Sequence, residues 1–279
     1  MLGLGLSEED FKALHRWGAT LARFQMTRQW NTTGGNRDLA DFDRYIDGQL
    51  DLLEKHLAWA KKYGIQIVVD LHAAPGARDE RKDLYMCHDA TYAEAFIATW
   101  RKIATRFRGR PEIFGFDLVN EPQQLRAAEA IRAIDPETPV IVESNCYDGP
   151  ATFSYLKPLA LTNIIYQVHM YVPHAFTHQG VGGPTWTRTK YPDAAKGWNR
   201  DFLRRTLKPV RDFQARHGAR IYVGEFSAIA WAEGAADYLR DCIDLFEEEG
   251  WDWTYHAFRE WTGWSVEHEA EKPGGSAVG

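Results

Sequence analysis

Residues 53–72 read LEKHLAWAKKYGIQIVVDLH, and the change of period inside this stretch decides the fold. Up to Tyr63 the apolar residues recur at helical spacing; Gly64 stands where a left-handed residue closes a helix, and Ile65, Ile67, Val68 and Val69 follow as a β-branched run interrupted by Gln66. A strand with no polar alternation is one buried on both faces, as in a parallel sheet. The same order of helix, glycine and strand recurs in FKALHRWGATLARFQM (11–26), VRDFQARHGARIYVGEF (210–226) and CIDLFEEEGWDWTYHAF (242–258), with Gly18, Gly218 and Gly250 in the closing position. Each copy is a helix, a short loop and a parallel strand.

Between these copies lie EIFGFDLVNEP after a helix over 91–108, PVIVESN after a helix over 123–134, and TNIIYQVHMY after a short connection near 150–158. Seven strands are expected, near residues 19–25, 65–71, 113–119, 140–144, 164–169, 221–225 and 252–257. Helices alternating with near-continuous apolar strands predict a parallel α/β architecture, and this number of strands in one chain favours a (β/α)8 TIM barrel over a doubly wound sheet. If the first helix is Glu8 to Trp17, the first barrel strand is short, falling within MLGLGL, or truncated. No Pro/Gly/Ser-rich linker divides the chain, so residues 1–279 are expected to form a single catalytic domain. The long loops at 26–41, 72–90 and 170–199 all follow strand ends, the face on which such barrels build their sites.

Composition narrows the partners. With 44% hydrophobic and 26% charged residues the chain reads as an ordinary soluble globular protein, and no apolar run is long enough to span a membrane. A net charge of -6 provides no basic field for nucleic acid. Cys87, Cys146 and Cys242 are far apart and show no CxxC spacing, which points to neither a disulfide framework nor a zinc site. The opening MLGLGLSEED lacks the basic region and cleavage site of a complete signal peptide. Eleven tryptophans, with 12 tyrosines and 14 phenylalanines, are more than usual; most belong in a core, yet flat aromatic faces also stack on sugar rings.

The chemistry sits at strand ends. Polar groups terminate apolar runs at Arg23 in LARFQM, His72 in VVDLHAAPG, Asn120 and Glu121 in GFDLVNEPQQ, His169 and Tyr171 in QVHMY, and Glu225 in YVGEFSA. An ionisable group there bears a desolvation cost, which suggests that its chemistry is wanted. Counting an absent first strand, Glu121 and Glu225 end the fourth and seventh strands, which face one another across a closed barrel. Two converging carboxylates are what glycosidic cleavage needs: one protonated to serve the leaving oxygen, the other ionised to attack the anomeric centre.

With NEP, HMY, GEF, LAR and DLHAAPG in this order, the chain resembles glycoside hydrolase family 5, the cellulase-type retaining enzymes, from about residue 7 to residue 265. The resemblance implies that Glu121 is the acid/base, Glu225 the nucleophile, and Asn120 the residue that bonds the sugar 2-hydroxyl. Arg23 and Tyr171 would hold the nucleophile, and His72 and His169 would line the subsite beside it. A retaining endo-β-1,4-glucanase is expected, acting without a cofactor on a β-linked oligo- or polysaccharide, and secreted as the family is. A β-mannanase, an exo-β-glucosidase or a glycolipid hydrolase would use the same core residues; the rivals from other classes are a metal-dependent barrel hydrolase and a non-catalytic carbohydrate-binding barrel. One departure stands out: where the family usually carries a tryptophan at the end of the eighth strand, this chain places His256, so Trp261 or Trp264 is expected to supply the indole platform.

Trp30 and Trp198, in loops after strand ends, are further candidates for sugar contact. Asn31 begins an NTT sequon, with no accompanying sign of a eukaryotic secretory route. His169, His174 and His178 match no HExxH or HxH spacing and have no acidic residue among them, so no metal site is expected.

Overall fold

A computed structural model describes residues 6–28, 36–79, 83–118, 124–181 and 187–267. Among them seven strands form one sheet in chain order, β1 (Leu21–Gln25), β2 (Gln66–Asp70), β3 (Ile113–Asp117), β4 (Val140–Val142), β5 (Ile164–Met170), β6 (Arg220–Phe226) and β7 (Asp252–Trp253). The helices are α1 (Glu8–Arg16), α2 (Leu39–Tyr63), α3 (Ala90–Phe107), α4 (Gln124–Arg132), α5 (Asn145–Asp148), α6 (His174–Thr177), α7 (Arg200–Thr206), α8 (Lys208–His217) and α9 (Ala235–Glu248). Gly18, Gly64, Gly218 and Gly250 all adopt positive φ, between 60° and 80°, so the repeated unit has the closure its sequence predicts. Most of MLGLGL, where the remaining strand is expected, lies outside the described residues. No described helix is long and apolar enough to cross a membrane.

The chain divides into two compact units, residues 4–145 with 158–165, and residues 1–3 with 146–157 and 166–279. In the first, α2 shows how sequence becomes packing. Asp38 caps it by accepting from the Ala40 and Asp41 amides (2.9 and 3.1 Å), and Phe42, Ile46, Leu50, Leu53, Leu57 and Ala60 form one buried stripe. The parallel register runs Leu21↔Gln66 to Gln25↔Asp70 between β1 and β2, with a shift between Ile67 and Val68 where β2 meets β3. This register sets Asp70 and Asp117 side by side at the carboxyl ends of β2 and β3, with Arg23 at the middle of β1. Beyond them, Gln124 at the start of α4 clamps Glu143 just past β4: its Nε2 donates to the Glu143 carbonyl and its Oε1 accepts from the Glu143 amide, each at 2.9 Å.

In the second unit, Phe213 of α8 packs edge-on against Phe153 (5.4 Å) and Tyr166 (4.9 Å), while Phe226 at the end of β6 meets Phe246 of α9 (5.1 Å). β6 and β7 are parallel, Tyr222↔Asp252 and Val223↔Trp253. The expected strand 252–257 contracts to two residues, but the chain goes on along β6 through single bonds from the Thr254 amide to Val223 O (2.9 Å) and the His256 amide to Phe226 O (3.1 Å).

Candidate active site

In the first unit Arg23 is fully buried at the middle of β1 and gathers three carboxylates. Its Nε donates to Asp117 Oδ2 at 2.8 Å, and its Nη2 lies 3.1 Å from Asp70 Oδ2 and 3.2 Å from Glu143 Oε1. His72 Nδ1 is 3.2 Å from the same Asp70 oxygen. Three acids around one guanidinium leave negative charge in excess, and the Oδ1 atoms of Asp70 and Asp117 are buried without a hydrogen-bond partner. Burial raises Asp117 most, Arg23 opposes the rise, Asp70 adds to it, and the outcome is about 7.

In the second unit Glu225 is the penultimate residue of β6 and is buried. Tyr171 Oη donates to its Oε2 at 3.0 Å; His256 Nδ1 lies 3.6 Å and His169 Nδ1 3.9 Å from the same oxygen. Tyr171 is held from behind, because Thr177 Oγ1 donates to its carbonyl (2.7 Å) and Tyr238 Oη to the carbonyls of Met170 and Val172 on either side (3.3 and 3.1 Å). Gly224 makes room for this arrangement: a Cβ there would fall 2.2 Å from Gln167 Oε1. The Gln167 amide nitrogen sits 3.1 Å from His169 Nε2. An amide nitrogen only donates, so Nε2 accepts and the imidazole proton is placed on Nδ1, facing Glu225. A donated hydrogen bond stabilises a carboxylate as the anion, the form that attacks carbon. A ring cluster surrounds this pair: His178 lies edge-on to Tyr171 (4.9 Å), and Trp264 stacks on His256 (5.8 Å, 29°). Burial drives His178 down to about 4, and His174 and His256 push the same way, so this imidazole is neutral at neutral pH.

The cellulase family, glycosyl hydrolase family 5, matches residues 6–265. The chain belongs to this family. Endoglucanase C of Acetivibrio thermocellus is 29% identical over 243 residues, covering 73% of this chain and 71% of that one. Cellodextrinase A of Ruminococcus flavefaciens is 23% identical over 279 residues, 92% of this chain and 80% of its own. Among solved structures, Thermotoga maritima Cel5A in complex with cellobiose superposes with a TM-score of 0.76 at 22% identity, covering 95% of this chain and 86% of that chain. The fold is therefore the β/α barrel of these cellulases, and the chain is a glycoside hydrolase.

Within the family 5 frame, the structure brings Tyr171, His169 and Glu225 together in one unit, and Arg23 with His72 by way of Asp70 in the other. Asn120, Glu121 and Trp30 lie outside the described residues, as does Asn31. Trp261 is 42% exposed, its ring lying over Gly263 and edge-on to both Trp231 and Trp264 (5.8 Å each). Trp264 is almost buried, and Trp198 lies under Lys196, whose Nζ is 5.3 Å from the ring centre. His174 and His178 stack face to face at 4.0 Å rather than converging on a point, and no group of three His, Cys, Asp or Glu among the described residues could hold a metal ion. Sequence reasoning missed Asp70, Asp117 and Glu143. Their signal was present, an acid at or just past the end of an apolar run, but the strands were read two residues or so too long and enclosed them. It also gave His256 no part beyond displacing a tryptophan.

Proposed function

We propose that this family 5 enzyme is a retaining endo-β-1,4-glucanase with Glu225 as nucleophile and Glu121 as acid/base. The observation that carries the reading is Glu225 itself: a buried carboxylate at a strand end with a tyrosine hydroxyl donating to it and two imidazoles within 4 Å. In the first step a Glu225 oxygen bonds to the anomeric carbon as the glycosidic C–O bond breaks, and the leaving oxygen takes the Glu121 proton. In the second, water gives a proton to Glu121 while its oxygen displaces Glu225, returning a β product. The role of Glu121, and those of Asn120 with the sugar 2-hydroxyl, of Arg23 in orienting the nucleophile, and of His72, His169, Trp30 and Trp261 along the sugar, rest on the resemblance of their motifs. The substrate class is supported by the relatives called endoglucanase and cellodextrinase. A β-mannan is the second reading, because Thermotoga maritima Cel5A, a fold neighbour with a TM-score of 0.76, is also known in complex with mannotriose.

Hydrolysis of carboxymethyl cellulose, lichenan, mannan, laminarin and aryl glucosides separates the substrates; release of oligosaccharides from cellulose with little from mannan is expected. The mechanism is tested with a dinitrophenyl cellobioside, whose leaving group needs almost no protonation. Glu121→Ala should give a burst of phenolate and then slow turnover, and added azide should restore turnover and yield the β-glycosyl azide. Glu225→Ala should give only the α-azide. An α-azide from Glu121→Ala overturns the assignment.

A further inference from the structure

The residue that stands in place of the family's strand-end tryptophan makes contacts that an indole could not. His256 Nδ1 is 2.5 Å from Tyr171 Oη, which is itself 3.0 Å from Glu225 Oε2. Its other nitrogen, Nε2, is buried, with Glu260 Oε2 3.3 Å away. Stacking on Trp264 and the bond from its own amide to Phe226 O fix the ring in place. The charged and titratable groups facing it are Glu225 on β6, Tyr171 after β5, His178 after α6, and Glu260.

Among the described residues two acceptors compete for the one hydroxyl proton of Tyr171. If His256 Nδ1 is bare, the proton turns to the nearer partner, the imidazole, and Tyr171 presents lone pairs to Glu225. If Nδ1 carries a proton, the phenol oxygen accepts from it and its own proton is left for Glu225. We propose that His256 is a positioning residue for the nucleophile, directing the Tyr171 proton onto Glu225 when it donates from Nδ1. The inference rests on reading Glu225 as the nucleophile. Carboxylates lie on both sides of the ring, Glu225 at 3.6 Å from Nδ1 and Glu260 at 3.3 Å from Nε2. No proton leaves His256 during the reaction; it sets where a carboxylate oxygen points before attack.

The test uses the full chain and the burst rate of phenolate release from dinitrophenyl cellobioside, a step that does not depend on Glu121. His256→Phe should slow the burst by about 10-fold or more with KM within about twofold, the loss of one hydrogen bond to a charged group. His256→Asn, which keeps an amide donor near the Nδ1 position and does not titrate, should restore the rate to within about threefold of the parent. In a Tyr171→Phe background His256→Phe should add less than about a twofold effect, because His256 acts through the hydroxyl already removed. The same factor in both backgrounds, a rise in KM with an unchanged burst, or a His256→Asn enzyme as slow as His256→Phe overturns the proposal. Should His256→Phe not fold, His256→Leu takes its place in the same comparison. If Glu225→Ala retains its burst, the nucleophile reading has failed; if Glu225→Ala is inactive and His256→Phe is normal, only the present inference has.

Discussion

Replacing Asp117 with asparagine should change the pH dependence of stability more than its level. Asp117 is fully buried, and its carboxyl is raised from 3.8 to about 7, by burial first and by Asp70 beside it, against the pull of Arg23. A group whose folded value lies above its unfolded value binds protons more tightly in the native state. Its contribution is whole below about 3.8 and is lost as pH rises through about 7. At 1.36 kcal/mol per unit, the span gives a ceiling of about 4 kcal/mol lost between acid and pH 8. Asparagine keeps an oxygen to accept from Arg23 Nε, as Asp117 does at 2.8 Å, and cannot ionise. Its amide nitrogen would take the place of Oδ1, which has no hydrogen-bond partner, and a buried unpaired donor costs about 1–3 kcal/mol at every pH. That cost cancels when the variant and parent are compared across pH. Urea denaturation of both proteins at pH 4.5, 6, 7 and 8.5 should therefore show the variant gaining on the parent by up to about 3 kcal/mol, with the gain levelling above neutrality. A difference constant to within about 0.5 kcal/mol across the range, or a parent that gains on the variant as pH rises, would mean that Asp117 is ionised throughout as an ordinary partner of Arg23.

Removing the cation should do the opposite: Arg23→Ala leaves Asp70, Asp117 and Glu143 buried without it and should destabilise by about 3–5 kcal/mol at neutral pH, less in acid, as read by chemical denaturation. Activity lost in that variant would then report folding as much as catalysis. His56 is buried against Phe11, Phe24 and Trp59 with neither ring nitrogen paired, and burial lowers it to about 4. A histidine lowered this way stabilises above its ordinary 6.5 and loses that contribution as pH falls toward about 4, so His56→Phe should reduce the fall in melting temperature between pH 7 and pH 4.5. Gly224→Ala drives a methyl into Gln167 and should cost about 1–3 kcal/mol in denaturation, with loss of activity as His169 is displaced; a variant of parental stability would show that Gln167 can move aside.

The fold was legible because its signals are local. A left-handed glycine and a switch from helical to β-branched spacing both lie within twenty residues, and Gly64 with β2 shows them in sequence and structure alike. Strand ends were less legible, because a strand stops where its partner's ladder stops, and the partner is distant in sequence. The expected strands 65–71, 113–119 and 140–144 therefore swallowed Asp70, Asp117 and Glu143, whose common partner Arg23 lies between 47 and 120 residues away. The pairing of Tyr171 with Glu225 was visible through motif resemblance, whereas His256, 85 residues beyond Tyr171, could only be seen as a missing tryptophan.

These buried groups also bear on how the enzyme's pH profile is to be read. In a retaining glycosidase the alkaline limb is normally assigned to the acid/base carboxyl, the role proposed for Glu121. In this chain the carboxyl raised to about 7 is Asp117, bonded to the arginine of the LAR motif, while His56 and His178 are held down near 4. An alkaline limb near neutrality therefore has a source besides Glu121. Asp117 ionises and alters the charge around Arg23. The substrate distinguishes them. A limb owned by Glu121 should vanish in the burst of a dinitrophenyl glycoside, where no proton is needed, and persist on cellulose. A limb owned by Asp117 should persist on both substrates and vanish in Asp117→Asn. A limb that survives this substitution on the activated substrate would belong to neither group, and the reading of Asp117 as its source would have to be abandoned.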